Sequence, residues 1–196
     1  MSLVTLTLSS ALAVTPVEVA AVGKPAPAFT LADTTGQSVS LSQFGGKTVV
    51  IEWFNPDCPY VKYAHGTGPL RTQPARVTAS GVAWVAINSG AAGKQGAGLE
   101  RNVAARTEYA MAYPVLLDGD GVVGRTYAAK TTPHVYVVDP AGKLAYAGAL
   151  DNAPLGEAPA GGVVNYVDAA LADLAAGRPV ATPSTKSYGC SVKYAN

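Results

Sequence analysis

The feature that most constrains this chain is a buried-strand signature that recurs between helical segments. Thr48 to Phe54 is a nearly continuous β-branched and aromatic run, and Val82 to Asn88 repeats the pattern. A strand with one face in water alternates apolar and polar residues, so an unbroken run reads as a strand covered on both faces. Tyr113 to Leu117 supplies a third strand, closed by the turn Asp118-Gly119-Asp120-Gly121. Between the first two, a helical region from Pro59 is predicted to break at Gly66-Thr67-Gly68-Pro69. It resumes toward Ser80, with Pro74 as a kink or restart. Leu99 to Tyr109 reads as a helix and Val122 to Ala129 as a short one. His134 to Asp139 and Lys143 to Ala149 form a hairpin around Pro140-Ala141-Gly142. Val163 to Ala176 has helical spacing at Val163, Val167, Leu171 and Leu174, with Gly177 as its stop signal.

Upstream, Phe29 to Leu31 and Ser38 to Leu41 flank Thr34-Thr35-Gly36-Gln37 as a small hairpin, and Ser42 is placed to cap a helical turn ending at Gly45-Gly46. Parallel βαβ units followed by an antiparallel hairpin and a covering helix predict an α/β fold, a central mixed sheet with helices on both faces. The glycine-rich loop Ser89 to Gly98 reads as the most mobile connection.

With 196 residues the chain is expected to hold one domain, at about 23–177. Residues 1–22 are a lead-in or signal-peptide remnant, and 178–196 a polar tail carrying Cys190. A net charge of +1 without a Lys/Arg cluster argues against nucleic acid or an anionic membrane as partner, since both need concentrated positive charge. Beyond the first dozen residues no apolar stretch is long enough to span a bilayer. The Asp118 turn lacks the further oxygen ligands of a calcium loop and reads as a turn. Leu3 to Ala13, ending in Ala11-Leu12-Ala13, is like the back half of a secretory signal without its basic n-region. The expected location is exported, periplasmic or extracytoplasmic. The alternating Val4 to Leu8 is equally an edge strand, which leaves a cytoplasmic chain as the alternative.

Cys58 stands at the end of the first buried run and immediately before Pro59, a residue favoured in the first turn of a helix. Its sulfur is thus expected at the N-cap, where the free amides of Tyr60 and Val61 and the positive end of the helix dipole favour thiolate. The carboxyl end of a central strand is also where open α/β sheets place their sites. The competing reading is a cysteine that merely packs in the core.

The run Val49-Val50-Ile51-Glu52-Trp53-Phe54 leading to Cys58 resembles the strand that feeds the redox site of thioredoxins. Thr132-Pro133 before the strand His134–Asp139 resembles the Thr-cis-Pro loop of the same superfamily, and Pro140-Ala141-Gly142-Lys143 resembles its hairpin. Gly23-Lys24-Pro25-Ala26-Pro27-Ala28-Phe29-Thr30-Leu31 resembles the entry segment of the redoxin branch, which includes the alkyl hydroperoxide reductase/thiol-specific antioxidant proteins. Asn55-Pro56-Asp57-Cys58-Pro59-Tyr60-Val61-Lys62 with Gly189-Cys190-Ser191-Val192-Lys193 is similar to a peroxiredoxin-like subgroup. The resemblance, over roughly 23–176, implies a thioredoxin-like fold and a thiol-dependent oxidoreductase with antioxidant, redox-homeostatic work. It implies no cofactor and no resident metal. Its partners would be a protein or small-molecule disulfide or a peroxide, with an external thiol as electron donor. Cys58 is then the nucleophile and Thr132 and Pro133 the loop facing it. Asn55, Pro59, Tyr60 and His134 are candidate substrate contacts. Glu52 resembles the buried carboxylate of thioredoxins, and is either a proton acceptor or part of a structural pair.

Two departures shape the mechanism. Val61 stands where thioredoxin-type reductases carry a second cysteine, so no local disulfide can form. Asn55 stands where peroxiredoxins carry a Thr or Ser, and the nearest basic candidate for their arginine, Arg125, is a poor one. The remaining partner is Cys190. From Gly177 to Cys190 an extended chain spans about 40 Å, against a domain radius of gyration of roughly 16 Å, so the tail can reach Cys58. Gly189 allows close backbone approach, and Lys186 and Lys193 are expected to favour thiolate at Cys190. Cys190 is expected to resolve Cys58 as a disulfide. A structural disulfide and an unpaired cysteine remain alternatives. So do a Cu(I) site of Cys58, Cys190 and His134, and a binding protein of the same fold without turnover. His65, about two helical turns beyond Cys58, is too far along the axis to touch it.

Overall fold

The computed structural model describes residues 19–196; the signal-like segment Leu3 to Ala13 lies outside them. An N-terminal hairpin pairs β1 (Thr30–Ala32) with β2 (Ser38–Ser40), and a 3-10 turn follows at Leu41–Phe44. The capping residue of that turn is Ser40 rather than Ser42, because Gln43, three residues on, returns its side chain to the Ser40 amide. The run expected to be buried forms β3 (Val49–Trp53), and α1 (Pro59–Gly66) breaks at Gly66 as expected. A 3-10 turn at Pro69–Arg71 leads to α2 (Gln73–Ala79), which restarts with Pro74 in its first turn. Then come β4 (Ala83–Asn88), α3 (Leu99–Glu108), β5 (Val115–Leu117) and α4 (Val122–Thr126). The chain continues through β6 (Thr131–Thr132), β7 (His134–Val138), β8 (Leu144–Gly148), α5 (Tyr166–Ala175) and β9 (Cys190–Ser191).

The main sheet has the order β5-β4-β3-β7-β8, with β3, β4 and β5 parallel and β7 and β8 antiparallel to their neighbours. This is the mixed sheet of a thioredoxin-like α/β fold. All five residues of β3 are buried, and the period of two sends them to different layers. Val50 joins Phe54, Val135 and Val137 against Val61 and Ala64 of α1 and Val167 and Ala170 of α5. Val49, Ile51 and Trp53 join Tyr136 and Val138 against Phe29, Val39 and Tyr127. Burying an aliphatic or aromatic side chain of this kind is worth about 1.5–3 kcal/mol, so the two layers hold β3 rigidly from both sides.

Two local expectations need correction. The last helix begins at Tyr166, not Val163, because the Asn165 side chain accepts from the Asp168 amide and so caps it there; Val163 is left exposed. The glycine-rich loop is pinned rather than mobile. The side-chain amides of Asn88 and Asn102 donate to Gly96 O, and that of Asn55 donates to Gln95 O. Gly96 has φ +73°, and a side chain on it would collide with Asn55. The polar tail, expected to reach Cys58, adds β9, which pairs with β6 as a third sheet of two strands.

Candidate functional site

The site is built where β3 ends. The Phe54 amide makes the last bond to the neighbouring strand, at Ile87 O, after which Asn55 turns the chain. Its side-chain oxygen accepts from the Asp57 amide at 2.9 Å and its carbonyl accepts from the Cys58 amide at 3.1 Å. The turn delivers Cys58 to the N-cap of α1 with φ −74° and ψ 126°, and Pro59 occupies the first helical position. The sulfur is fully buried and donates to Thr132 O at 3.0 Å. The Thr132-Pro133 peptide bond is cis.

The tail reaches the same spot. In the register of β6 and β9, Cys190 lies opposite Thr132 and Ser191 opposite Thr131, and the Val192 amide donates to Lys130 O. Gly189, at φ +123°, packs so closely that a side chain there would strike the Thr132 carbonyl. Cys190 is thereby set against the loop whose carbonyl accepts from Cys58. Both cysteines are free thiols. Cys58, Cys190, Thr132 and Pro133 therefore form one cluster from three distant parts of the chain.

Burial pushes the Cys58 thiol up, but this is outweighed by donors aimed at the sulfur: the Cys190 thiol, the Thr132 hydroxyl and the amides of Val61 and Cys190. The net direction is below the ordinary thiol value. The buried Thr132 hydroxyl makes no hydrogen bond in the structure, so it is a donor free to turn to a thiolate at Cys58. Cys190 moves the opposite way, to about 11, by burial, by its hydrogen bond toward Cys58 and by the repulsion a charge on Cys58 would exert. Lys193 offsets this only in part, and Lys186 lines a separate cavity with Lys130 and His134. The expected thiolate at Cys190 is thus overturned. The two thiols are thus shifted in opposite directions, and Cys58 is the one that gives up its proton more readily.

Other expected contacts fall elsewhere. His134 does not lie beside Cys58. It pairs with Trp53 and stacks on Tyr136, so it belongs to the opposite layer, where its Nδ1 meets the Tyr136 hydroxyl at 3.1 Å. Burial depresses its pKa to about 4. The Cu(I) set is therefore not assembled, and no metal-holding group of three His, Cys, Asp or Glu exists among the described residues. The Asn55 side chain is committed at both ends within the fold. Pro59 is exposed, and Tyr60 is half-buried against the Tyr188 ring, 5.9 Å away. Glu52 is fully buried and takes His65 Nε2 at 2.8 Å and Trp84 Nε1 at 3.4 Å. Arg125 bonds Asp120 O and Ala195 O, and stacks on Tyr194.

Two supports were not visible in the sequence. Arg101 of α3 pairs with Asp57 and donates to Pro56 O, bracing the loop before Cys58. Tyr188 donates to Asp151 at 2.6 Å, fixing the tail just before Gly189. Neither contact leaves a spacing signal, since its partners lie 44 and 37 positions apart.

A relative with a known activity is the thiol-disulfide oxidoreductase ResA of Bacillus subtilis (strain 168), 29% identical over 125 residues, 62% of this chain and 64% of that protein. The match thus spans a little under two thirds of that relative's length. Two solved structures resemble the whole architecture, each with a TM-score of 0.79 and 89% of this chain covered. One is an uncharacterized conserved protein from Geobacillus kaustophilus, 31% identical and covered over 93% of its length. The other is a hypothetical protein from Sinorhizobium meliloti 1021, 28% identical and covered over 95%. The Redoxin family description matches residues 21–162, the segment that holds β3, Cys58 and the Thr132-Pro133 loop. On that match, together with the cysteine at the strand end, the chain belongs to the Redoxin family.

Proposed function

We propose that the protein is a thiol–disulfide oxidoreductase in which Cys58 attacks and Cys190 resolves. The observation that carries this reading is the placement of the two thiols on one loop: Cys190 stands opposite Thr132, whose carbonyl accepts from Cys58, and the Cys58 thiol is drawn below its ordinary value while that of Cys190 is pushed up to about 11. The Cys58 thiolate attacks one sulfur of a substrate disulfide, forming a mixed disulfide and expelling the other sulfur as thiolate. Cys190 gives its proton to a departing group and attacks the Cys58 sulfur. That forms Cys58–Cys190, releases the reduced substrate, and leaves an external thiol to restore both cysteines. Glu52, with His65, is a buried proton site one layer behind α1 in this scheme.

Attack on a disulfide is favoured over attack on a peroxide. The side chain at the peroxide-binding position, Asn55, is tied to Asp57 and Gln95, and Arg125 is tied to the tail. A sulfenic acid at Cys58, resolved by Cys190, is the corresponding peroxidase cycle. Leu3 to Ala13 supports an exported setting, where disulfides persist.

The test is to mix the reduced protein with one equivalent of a small disulfide or of hydrogen peroxide and map the products by mass spectrometry. The disulfide should give a Cys58–Cys190 link, and Cys190→Ser should stop at a Cys58 mixed disulfide. If peroxide oxidises Cys58 faster than the disulfide does, the peroxidase cycle replaces the one proposed. Inertness of Cys58 to both reagents defeats either.

A further inference from the structure

The layer that holds His134 carries a cavity that the cysteines do not use. Its volume is about 490 Å³, within the roughly 300–1,000 Å³ of small-molecule pockets. Lys130 and Thr131 reach it from the start of β6, His134 and Tyr136 from β7, and Ser184 to Ser187 from the tail. The tail stretch is pinned at both ends. The Thr185 amide donates to Ala147 O and the Thr185 hydroxyl accepts from the Ala149 amide, while Tyr188 donates to Asp151. Lys186 and Ser187 therefore stand on the wall from a fixed backbone.

The polar groups on this wall are donors. Among the described residues neither Lys130 nor Lys186 makes an ion pair, and no acidic side chain lines the cavity with them. His134, 9% exposed, adds a third donor. The Lys130 amide points at its Nδ1 from 3.4 Å, and the Tyr136 hydroxyl lies 3.1 Å from the same nitrogen. Nδ1 thus accepts, and the neutral ring carries its proton on Nε2. Burial and, after it, the Lys130 charge keep the ring neutral. Nε2 has no partner among the described residues. It is not sealed in the core either, where only the hydroxyls of Tyr113 and Thr132 lie closed off without one. Its N–H therefore opens on the cavity. Two ammonium groups and an imidazole N–H around one space, with no counter-charge, suit an anion.

We infer that this cavity is a binding site for a small organic anion carrying at least two negative charges, as carboxylates or as a phosphate ester. Lys130 and the His134 Nε2–H hold one end from the sheet. Lys186 and the serine hydroxyls of the tail hold the other. A molecule so placed bridges β7 and the tail just ahead of Cys190. Neither Cys58 nor Cys190 is on the wall, so binding is read without any turnover.

The experiment titrates the full-length protein calorimetrically with citrate and with glycerol 3-phosphate, in about 0.15 M NaCl to screen diffuse charge. At least one should bind one-to-one with a Kd below about 1 mM, and neutral glycerol should not bind. Which of the two binds more tightly separates carboxylate from phosphate. Lys130→Ala with Lys186→Ala should weaken binding at least about tenfold, since it removes two charged donors. Lys62→Ala with Lys94→Ala takes the same charge from exposed positions off the wall, and should change the Kd by less than about twofold. The chain has two histidines, so the His134 ring signal in a proton NMR spectrum is identified by its loss in His134→Gln. It should move on saturation at pH 7 while the His65 signal stays in place. Absence of binding by both anions overturns the site. So does an equal loss in the two double variants, or a bound anion that leaves the His134 ring signal unmoved.

Discussion

The two cysteines occupy neighbouring points in space and opposite situations in the fold. Cys58 is set by the core: β3 is buried on both faces, the Asn55 turn aims the chain, and Pro59 starts the helix. Cys190 is set by the surface, on a two-residue strand held through Tyr188, Val192 and Tyr194. One sulfur sits fully buried at a helix N-cap with its pKa drawn down, and the other sits on a two-residue surface strand with its pKa pushed up. In the proposed cycle the core-held group performs the attack and the surface-held group resolves it. The sharpest way to break it is to exchange the roles. Cys58→Ser should abolish disulfide exchange, a loss of about a thousandfold or more in rate, since the nucleophile is gone. Cys190→Ser should retain the first attack in a single turnover and lose only repeated turnover. If Cys58→Ser keeps a burst of thiol release and Cys190→Ser loses it, the assignment is reversed.

His134 allows the pH behaviour of the cysteines to be separated from that of the fold. It sits on the opposite layer, with its pKa lowered by burial from 6.5 to about 4. Between those values the unfolded chain binds a proton that the folded chain does not. Stability is therefore intact above about pH 6.5 and falls as the pH drops toward 4, by about 3 kcal/mol in all. Urea denaturation at pH 7 and pH 4 measures the difference, and His134→Gln should flatten it whatever it does to the plateau. A wild-type slope that survives this substitution would place the acid sensitivity elsewhere.

The reactivity of Cys58 belongs to the opposite direction of pH. Its pKa lies below the ordinary thiol value because donors, the Cys190 thiol foremost, outweigh the burial that pushes it up. A hydrogen bond to a charged group is worth about 1.5–3 kcal/mol. Cys190→Ala should therefore raise the midpoint of Cys58 alkylation by about 1–2 pH units, while Cys190→Ser, which keeps a donor, should stay nearer the wild type. Iodoacetamide kinetics read midpoint and plateau separately, so improved access in the alanine variant appears only in the plateau. An unchanged midpoint would mean that the remaining donors, the Thr132 hydroxyl and the amides of Val61 and Cys190, activate Cys58 without the Cys190 thiol.

The same contrast marks what the sequence could disclose. The sheet and the place of Cys58 were legible because their signals are local: an unbroken apolar run, a proline one step after the cysteine, and glycines at the breaks. The tail strand was not, since two residues have no periodicity and their register comes from contact with Thr131 and Thr132. Proximity in sequence also misled. Lys186 and Lys193 flank Cys190 in the chain, but Lys186 lines another cavity, and burial and Cys58 outweigh Lys193. For His134 the alternation along β7 was visible, whereas which layer faces Cys58 depends on how α1 lies across the sheet. The Glu52–His65 pair was hidden for the same reason, its distance being set by the packing of α1 on β3.

The smallest of these effects tests how the tail is held. Tyr188 donates to Asp151 and its ring meets that of Tyr60, so it fixes the chain one residue before Gly189. Tyr188→Phe keeps the ring and removes the bond. Asp151 retains the Ala153 amide, which limits the penalty of leaving a buried acceptor short of a partner. The loss should be about 1 kcal/mol and should fall on tail docking rather than on the core, because the two apolar layers are untouched. Global unfolding is then nearly unchanged while Cys58 alkylation at a fixed thiolate fraction rises several-fold, up to about tenfold. A matching fall in global stability without faster alkylation would show that tail and core unfold together, and the division between a core-held and a surface-held cysteine would be lost.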